Sequence, residues 1–542
     1  MKEGYFAEPE DIMKYCSKVN FEEVSEGGGV PVLTDSRSCY ILHTDSNVLL
    51  AGSPGSGKTQ SVIIPTILTC CNAKESMVVN VTKSEVIDTT ANYLERKGYK
   101  VFCINFRNPL YGHCYDLLGY AKKLYSNRDS RVVNELFSLG ESIFEDIKSS
   151  DDPYWDRTSI SLFVGLTLCC FMMYDNLKDV SILSVYQIFS QGMEKVGGSL
   201  VLKEYINQHE EIDDIIKNIL NPILSSPSDT LQSVCSVFST GLIKYISNVE
   251  INDMLSHSDF KVLDLQKEPT CVFIVNKDEN NVYKPIIASI VDSLYDELTE
   301  CAEERGGLLD RRVNYILEEF SSLHISNMSN KISVSRGRNI RFYLCIQNFN
   351  QLETTYGTEA KTILGCCNTW IYLYSPEYTM NELFAKRIGT KINDVTGREE
   401  YCISPSQLQF DMKKGDAIFL LERCRPFKSH LFCVSQYEKI YGLNLSEEYV
   451  LFKRKIISRD NNIDIKEMVE VERKKHIEQV LGSVTSDIPE LFSFSKAIKI
   501  EEAQERELKI SEIVEKIDAE NEKLEQEMEC TDEGSNSNED KK

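Results

Sequence analysis

Asn47-Val-Leu-Leu-Ala-Gly52-Ser-Pro-Gly-Ser-Gly57-Lys58-Thr59-Gln-Ser-Val-Ile-Ile64 reads as a short apolar strand, a glycine-rich turn and the opening of a helix. Gly52, Gly57, Lys58 and Thr59 fill every fixed position of G-x-x-x-x-G-K-[ST]. The stretch Gly52, Ser53, Pro54, Gly55, Ser56, Gly57, Lys58 and Thr59 is therefore the candidate phosphate cradle. Glycine lets the backbone turn tightly and bring several N–H groups onto an anion with no Cβ in the way. The helix that follows adds its positive N-terminal end. On this reading Lys58 reaches the β- and γ-phosphates as a point charge, and the Thr59 hydroxyl takes one coordination site of Mg²⁺.

Outward from the cradle, strand and helix signals alternate. Met77–Val81, a helical stretch to Lys97 and a strand over Lys100–Asn105 predict a parallel sheet of the doubly wound kind. From about residue 120 to 258 helical periodicity takes over, with Asn221-Pro222 and Ser226-Pro227 as expected breaks. Sheet signals return at Thr270–Val275, Arg312–Leu317, Arg341–Ile346 and Trp370–Tyr374. Ala417–Leu421 and His430–Val434 are expected to close the sheet edge as a hairpin turned at Pro426. The expected architecture is α/β. Residues 1–120 and 259–445 form a nucleotide-binding domain, 121–258 an inserted all-alpha domain, 446–530 a charged helical extension and 531–542 a disordered acidic tail.

Composition narrows the classes. The formal net charge of -24 argues against nonspecific grip on duplex DNA by the whole surface. None of the 18 cysteines forms a C-x-x-C pair or a zinc-type spacing, and neighbours such as Cys70-Cys71 fit small buried hydrophobes in a reducing compartment. With no signal-peptide pattern at the start, the expectation is a cytosolic protein. Thr158–Tyr174, uncharged but short for a bilayer span, is expected to be a buried helix. From Glu501 to Lys542 there are 16 acidic and 6 basic residues, which suits either a solvated tail or an interaction arm.

The strand Arg312–Leu317 ends in Glu318 and Glu319. In motor-type NTPases the first acid of such a pair supports Mg²⁺, and the second polarises the attacking water. An arginine of Ser335-Arg336-Gly337-Arg338-Asn339, after a short helix, could serve a neighbouring copy's γ-phosphate, and Gln347 at the tip of the next strand could sense it. A surface arginine and a satisfied strand end are the plainer readings of those two.

Together, the cradle, Ile63-Ile64-Pro65, the long helical insert, Asp152-Pro-Tyr-Trp155, Ile316-Leu-Glu-Glu-Phe-Ser-Ser-Leu323, Arg336-Gly-Arg338 and Gln347-Asn-Phe-Asn-Gln-Leu352 with Tyr356-Gly357 resemble the type IV coupling proteins of conjugation, the TraG/TraD group. The similarity spans roughly residues 30–435. It implies a RecA-like ATPase with an all-alpha domain that works as a homo-hexamer. Such a ring would use ATP and Mg²⁺ to pass a relaxase and its single-stranded DNA to a type IV secretion channel. By the same resemblance Lys58 and Thr59 hold phosphate and metal, Glu318 supports the metal, Glu319 is the catalytic acid, Arg338 the trans arginine and Gln347 the sensor.

Three departures stand out. Glu318 occupies the usual Asp position, Val81-Thr-Lys-Ser-Glu85 replaces Asp-Pro-Lys-Gly-Glu, and the transmembrane helices that open most members are not seen here. Membrane contact is therefore expected only through partners, at the cytoplasmic face. Two alternatives stay open: a cargo receptor whose nucleotide site turns over little, and an FtsK-HerA class DNA motor unrelated to secretion.

Overall fold

The computed structural model describes residues 6–487 except 35–37, 43, 148–152, 210–211, 278–280, 394–396, 446, 448 and 457–462. Met1–Ile465 forms one compact unit and Lys466–Lys542 a second. The acidic stretch expected over 501–542, with its helix and its disorder, lies outside the described residues.

Three short strands, β1 (Cys16–Val19), β2 (Pro31–Thr34) and β3 (Cys39–Leu42), pair antiparallel ahead of the main sheet. The main sheet takes β4 (Val48–Ala51), β5 (Ser76–Val81) and β6 (Lys100–Asn105) from the first part of the chain. A tiny hairpin, β7 (Lys195–Val196) and β8 (Ser199–Leu200), interrupts the helical insert. The sheet then resumes with β9 (Thr270–Val275), β10 (Val313–Leu317), β11 (Ile340–Ile346) and β12 (Thr369–Tyr372). A second small hairpin, β13 (Thr390–Ile392) and β14 (Glu399–Tyr401), precedes β15 (Asp416–Leu420) and β16 (Phe427–His430).

The order across the nine-stranded sheet is β16-β15-β12-β4-β11-β10-β5-β9-β6, parallel from β12 to β6 and antiparallel at the β15 and β16 edge. Every residue of β4, β5, β9, β10 and β11 is buried. That is why these strands read as near-continuous apolar runs: helices cover both faces of a parallel sheet. All parallel strands end at one edge, where the loop Gly52–Thr59 lies between the tips of β11 and β12.

The helical insert is built around Pro153–Met173, packed by helices Arg131–Ile143, Ile182–Gly192, Asp214–Leu224 and Ser228–Ile246. This central helix is long and apolar enough to cross a membrane, yet Leu162, Phe163, Val164, Leu166 and Cys169 are buried in the helical core. Gly165 allows the closest approach, because a Cβ there would lie 2.5 Å from a Leu220 methyl.

Three local expectations are corrected. Pro222 sits inside the helix Asp214–Leu224 rather than ending it; its missing N–H costs one hydrogen bond, and the helix stops two residues later. The last strand is Phe427–His430, not His430–Val434, because its register with β15 ends at Asp416 opposite His430. Val434 then opens the helix Val434–Tyr441, where the Gln436 side chain accepts from the Cys433 N–H. Nor is the chain helical directly after residue 446. Lys453 bridges to Tyr111, and Arg454 donates to the Leu110 carbonyl through its N–H and to Asp253 and Pro109 through its guanidinium, so this stretch is an extended strap.

A partly buried ionic cluster joins the insert to the sheet's covering helices. Glu135 on Arg131–Ile143 faces Asp292, Asp296 and Glu297 on the helix Lys284–Glu304, and Lys331 pairs with Asp292 and Asp296. Burial, then the charges of Asp296 and Asp292, push the Glu135 carboxyl up to about 8, and burial pushes Glu297 up to about 7. A carboxyl raised in the folded state binds more protons there than in the unfolded chain. Its contribution is complete below the unfolded glutamate value and is lost as pH rises through the folded one. The thermal midpoint is accordingly expected to fall between pH 6 and pH 8, and Glu135→Gln to flatten that slope. A midpoint that rises across this window, or an unchanged slope in the variant, would contradict the assignment.

Candidate functional site

β4 delivers the chain to Gly52, whose N–H donates to the Ile346 carbonyl of β11 while the Ser53 N–H donates to the Tyr374 carbonyl beyond β12. The loop is thus tied to the strand on either side. Gly55 and Gly57 take φ of 78° and 96°, left-handed values that strain any residue with a side chain. A Cβ on Gly52 would meet Ser56 Oγ at 2.6 Å. Helical geometry begins at Lys58 with a π-helical turn, Lys58–Ile63, and continues as the α-helix Ile64–Asn72 with Pro65 in its first turn.

Lys58 Nζ lies across the loop, donating to the carbonyls of Gly52 at 2.5 Å and Ser53 at 3.1 Å. Burial pulls its pKa down, against the opposing pull of Cys345, Glu319 and Glu318. Thr59 Oγ1 donates to Glu318 Oε1 at 2.5 Å, although 259 residues separate them. The second Glu318 oxygen accepts from the Thr82 N–H at 3.4 Å, and the Glu318 N–H donates to the Asn80 carbonyl of β5. This buried carboxylate is held from two sides.

Glu319 follows on the tip of β10, and Gln347 on the tip of β11 donates to its Oε1 at 2.6 Å. Burial raises the Glu319 pKa, the neighbouring Glu318 charge adds to it, and Gln347, Lys58 and Lys284 oppose it. A carboxylate so placed is a better base than an exposed one. Lys58, Thr59, Glu318, Glu319 and Gln347 therefore line one cleft of about 840 Å³. It is not the largest concavity. A larger one among the described residues, about 1340 Å³, lies at the other end of the sheet around Trp370 and Arg387 and contains neither the cradle nor the acid pair.

Arg338 is not in this cleft. It precedes β11, at the end of the strand opposite Gln347, roughly 20 Å away by strand rise, and pairs with Glu303 at 3.1 Å. The cleft walls also include Thr82, Lys83, Asn276 and Lys284 on the β5 and β9 side, and Lys414, His430, Leu431 and Gln436 on the β15 and β16 side. Apart from Thr82 and Lys83, which fall within Val81–Glu85, sequence reading missed these because they come from scattered segments with no local motif. The structure also brings Cys114, His257 and Asp259 within metal-ligand range, but the Arg454 guanidinium donates to the Cys114 sulfur and counters a cation there.

The family model for the type IV secretory system conjugative DNA transfer proteins matches residues 6–410. The chain belongs to this family. Protein VirD4 of Rhizobium radiobacter is 24% identical over 350 residues, 63% of this chain and 48% of that protein. The chain thus spans about half the length of the curated relatives it matches. Among solved structures, the unbound bacterial conjugative coupling protein TrwBdeltaN70 superposes with a TM-score of 0.54 at 14% identity, covering 79% of this chain and 92% of that one. TrwB in complex with ADP and Mg²⁺ gives a TM-score of 0.54 at 13% identity, covering 83% and 95%. The conjugative-transfer family and its RecA-like P-loop fold account for the parallel sheet, the cradle and the long helical insert together.

Proposed function

We propose that this coupling-family protein hydrolyses ATP in the cleft between Gly52–Thr59 and Glu319. The energy passes a relaxase with its single-stranded DNA to a type IV secretion channel. The observation carrying the proposal is the convergence of Lys58, Thr59, Glu318 and Gln347-held Glu319 on one cleft. Thr59 and Glu318 offer adjacent hard oxygen donors, which suits Mg²⁺. Bound there, the metal would supply charge neutralisation for the β- and γ-phosphates. Lys58 releases its carbonyl contacts to bind phosphate, Gln347 orients Glu319, and Glu319 accepts a proton from the attacking water. The glutamate at 318 reaches further than aspartate, and its two hydrogen bonds take up the extra length.

In this reading the copies assemble as a homo-hexamer at the cytoplasmic face of the membrane, reached through partners. The all-alpha segment 121–258 helps select cargo, the acidic stretch 501–542 docks it, and Arg338 serves the nucleotide of the neighbouring copy. Its distance from the cleft of its own chain suits a role in trans.

The test is ATP hydrolysis by the purified chain with and without single-stranded DNA. Stimulation by DNA is expected, with loss of turnover in Lys58→Ala. Arg338→Ala is expected to lower turnover by 10³-fold or more, on the order seen for arginines acting in trans, with ATP affinity nearly unchanged. Equal loss of binding and turnover would place Arg338 within its own subunit. Slow turnover indifferent to DNA, with relaxase binding intact, would make the protein a cargo receptor. DNA-driven turnover with no relaxase binding would make it a DNA motor outside secretion.

A further inference from the structure

Sheet order gives the nucleotide cleft a direction. The acid pair and Gln347 sit on β10 and β11, to one side of β4; β12, β15 and β16 lie to the other. For a triphosphate held by the cradle with its terminal phosphate at Glu319, the cleft continues on the other side of the cradle to β15 and β16, where there is room for a sugar and base. Asp416 and His430 pair across those two strands at the same edge of the sheet as the cradle, roughly 10 and 14 Å from β4 at ordinary strand spacing. This wall holds Lys414, Gly415, His430, Leu431 and Gln436, all lining the cleft.

Hydrogen bonds orient the side chains of this wall. Asp416 takes the Lys428 ammonium at 2.9 Å and the Lys413 N–H at 3.1 Å, so it is ionised and can only accept from His430 Nδ1, 3.0 Å away. Donation from Nδ1 to this carboxylate selects the tautomer of the uncharged ring in which Nε2 is an acceptor. Gly415, at φ 94°, makes room for the ring: a Cβ there would stand 2.7 Å from His430 Cε1. Gln436 is committed in the opposite sense. Its Oε1 accepts from the Cys433 N–H at 2.9 Å, which leaves the amide NH₂ as a donor.

We propose that this wall reads the nucleobase, His430 Nε2 accepting from the N6 amino group of adenine and the Gln436 amide donating to N7. Adenine presents that donor and acceptor side by side, whereas guanine presents two acceptors, O6 and N7, on the same edge. His430 would face O6 with a lone pair. The site is therefore adenine-selective, an inference that rests on the cleft holding a nucleoside triphosphate.

The test is calorimetric titration of the full chain with Mg²⁺ and the non-hydrolysable imido analogues of ATP and GTP. Wild type is expected to bind the adenine analogue about tenfold more tightly, the worth of one or two ordinary hydrogen bonds. His430→Phe, which keeps a ring, and Gln436→Glu, which keeps the helix cap but turns the donor into an acceptor, should each bring the ratio toward one. Gln436→Glu leaves the Asp416 pairing untouched, so it tests the idea even where the histidine variant folds poorly. Equal affinities in wild type, a guanine preference, or an adenine preference that survives both substitutions would overturn the base assignment while leaving triphosphate binding intact. Failure of the folded wild type to bind either analogue would remove the nucleotide reading itself, and the base assignment with it.

Discussion

Glu319→Gln is expected to lower ATP turnover by roughly 10² to 10⁴ while ATP binding is retained or tightened, the range a positioned general base contributes. Glutamine matches the shape of glutamate, and its side-chain oxygen can still accept the 2.6 Å hydrogen bond from Gln347. Only the charge and basicity are removed. The deleted negative charge also stood close to where the terminal phosphate would lie, so its loss eases anion binding as it stops proton abstraction. Single-turnover hydrolysis and nucleotide titration on the same preparation separate the two effects. A variant that hydrolyses at the wild-type rate would take Glu319 out of the reaction.

The largest effect on stability is expected at Arg341, a fully buried guanidinium at the opposite end of β11 from Gln347. Its Nε donates to Asn314 Oδ1 of β10 at 2.9 Å, Nη1 to the Thr44 carbonyl at 2.8 Å, and Nη2 to the Gly28 carbonyl and Glu75 Oε2 at 3.0 Å each. Glu75 accepts in turn from the Gly28 N–H and the Asn314 amide. The network fastens the segment before β4 and the turn before β5 to the sheet centre. Arg341→Met would leave the buried Glu75 with only Arg312, 3.9 Å away, as counter-charge, at a cost of about 3 kcal/mol. Adding Glu75→Gln should return part of that loss, because the remaining amide no longer carries a buried charge. Denaturant titration of the three variants is the measurement. A change below about 1 kcal/mol in the single variant would show that the network carries no net stability.

The two predictions concern residues of very different legibility. Glu319 could be picked out in the sequence, because an apolar strand followed by two acids is a local pattern. The cradle was legible for the same reason, since phosphate binding sets residue types within eight consecutive positions. The buried strands announced themselves through their continuous apolar runs. Arg341 looked like any strand residue. Nothing beside it in the chain foretells that Glu75, Asn314 and Gly28 meet around it.

What the amino-acid sequence determined by itself was the set of elements whose cause is local: the glycine turn with its helix, the apolar strands, the amphipathic helices and the acids closing β10. The tertiary structure decided which of them meet. It set the bond from Thr59 to Glu318, the placing of Arg338 at the far end of β11, and the pairing of His430 with Asp416 on the far side of the cleft. The physical reason is that near-neighbour sterics and burial periodicity act over a few residues. The order of strands across a sheet arises from packing among segments hundreds of residues apart, and it leaves no mark at any one position.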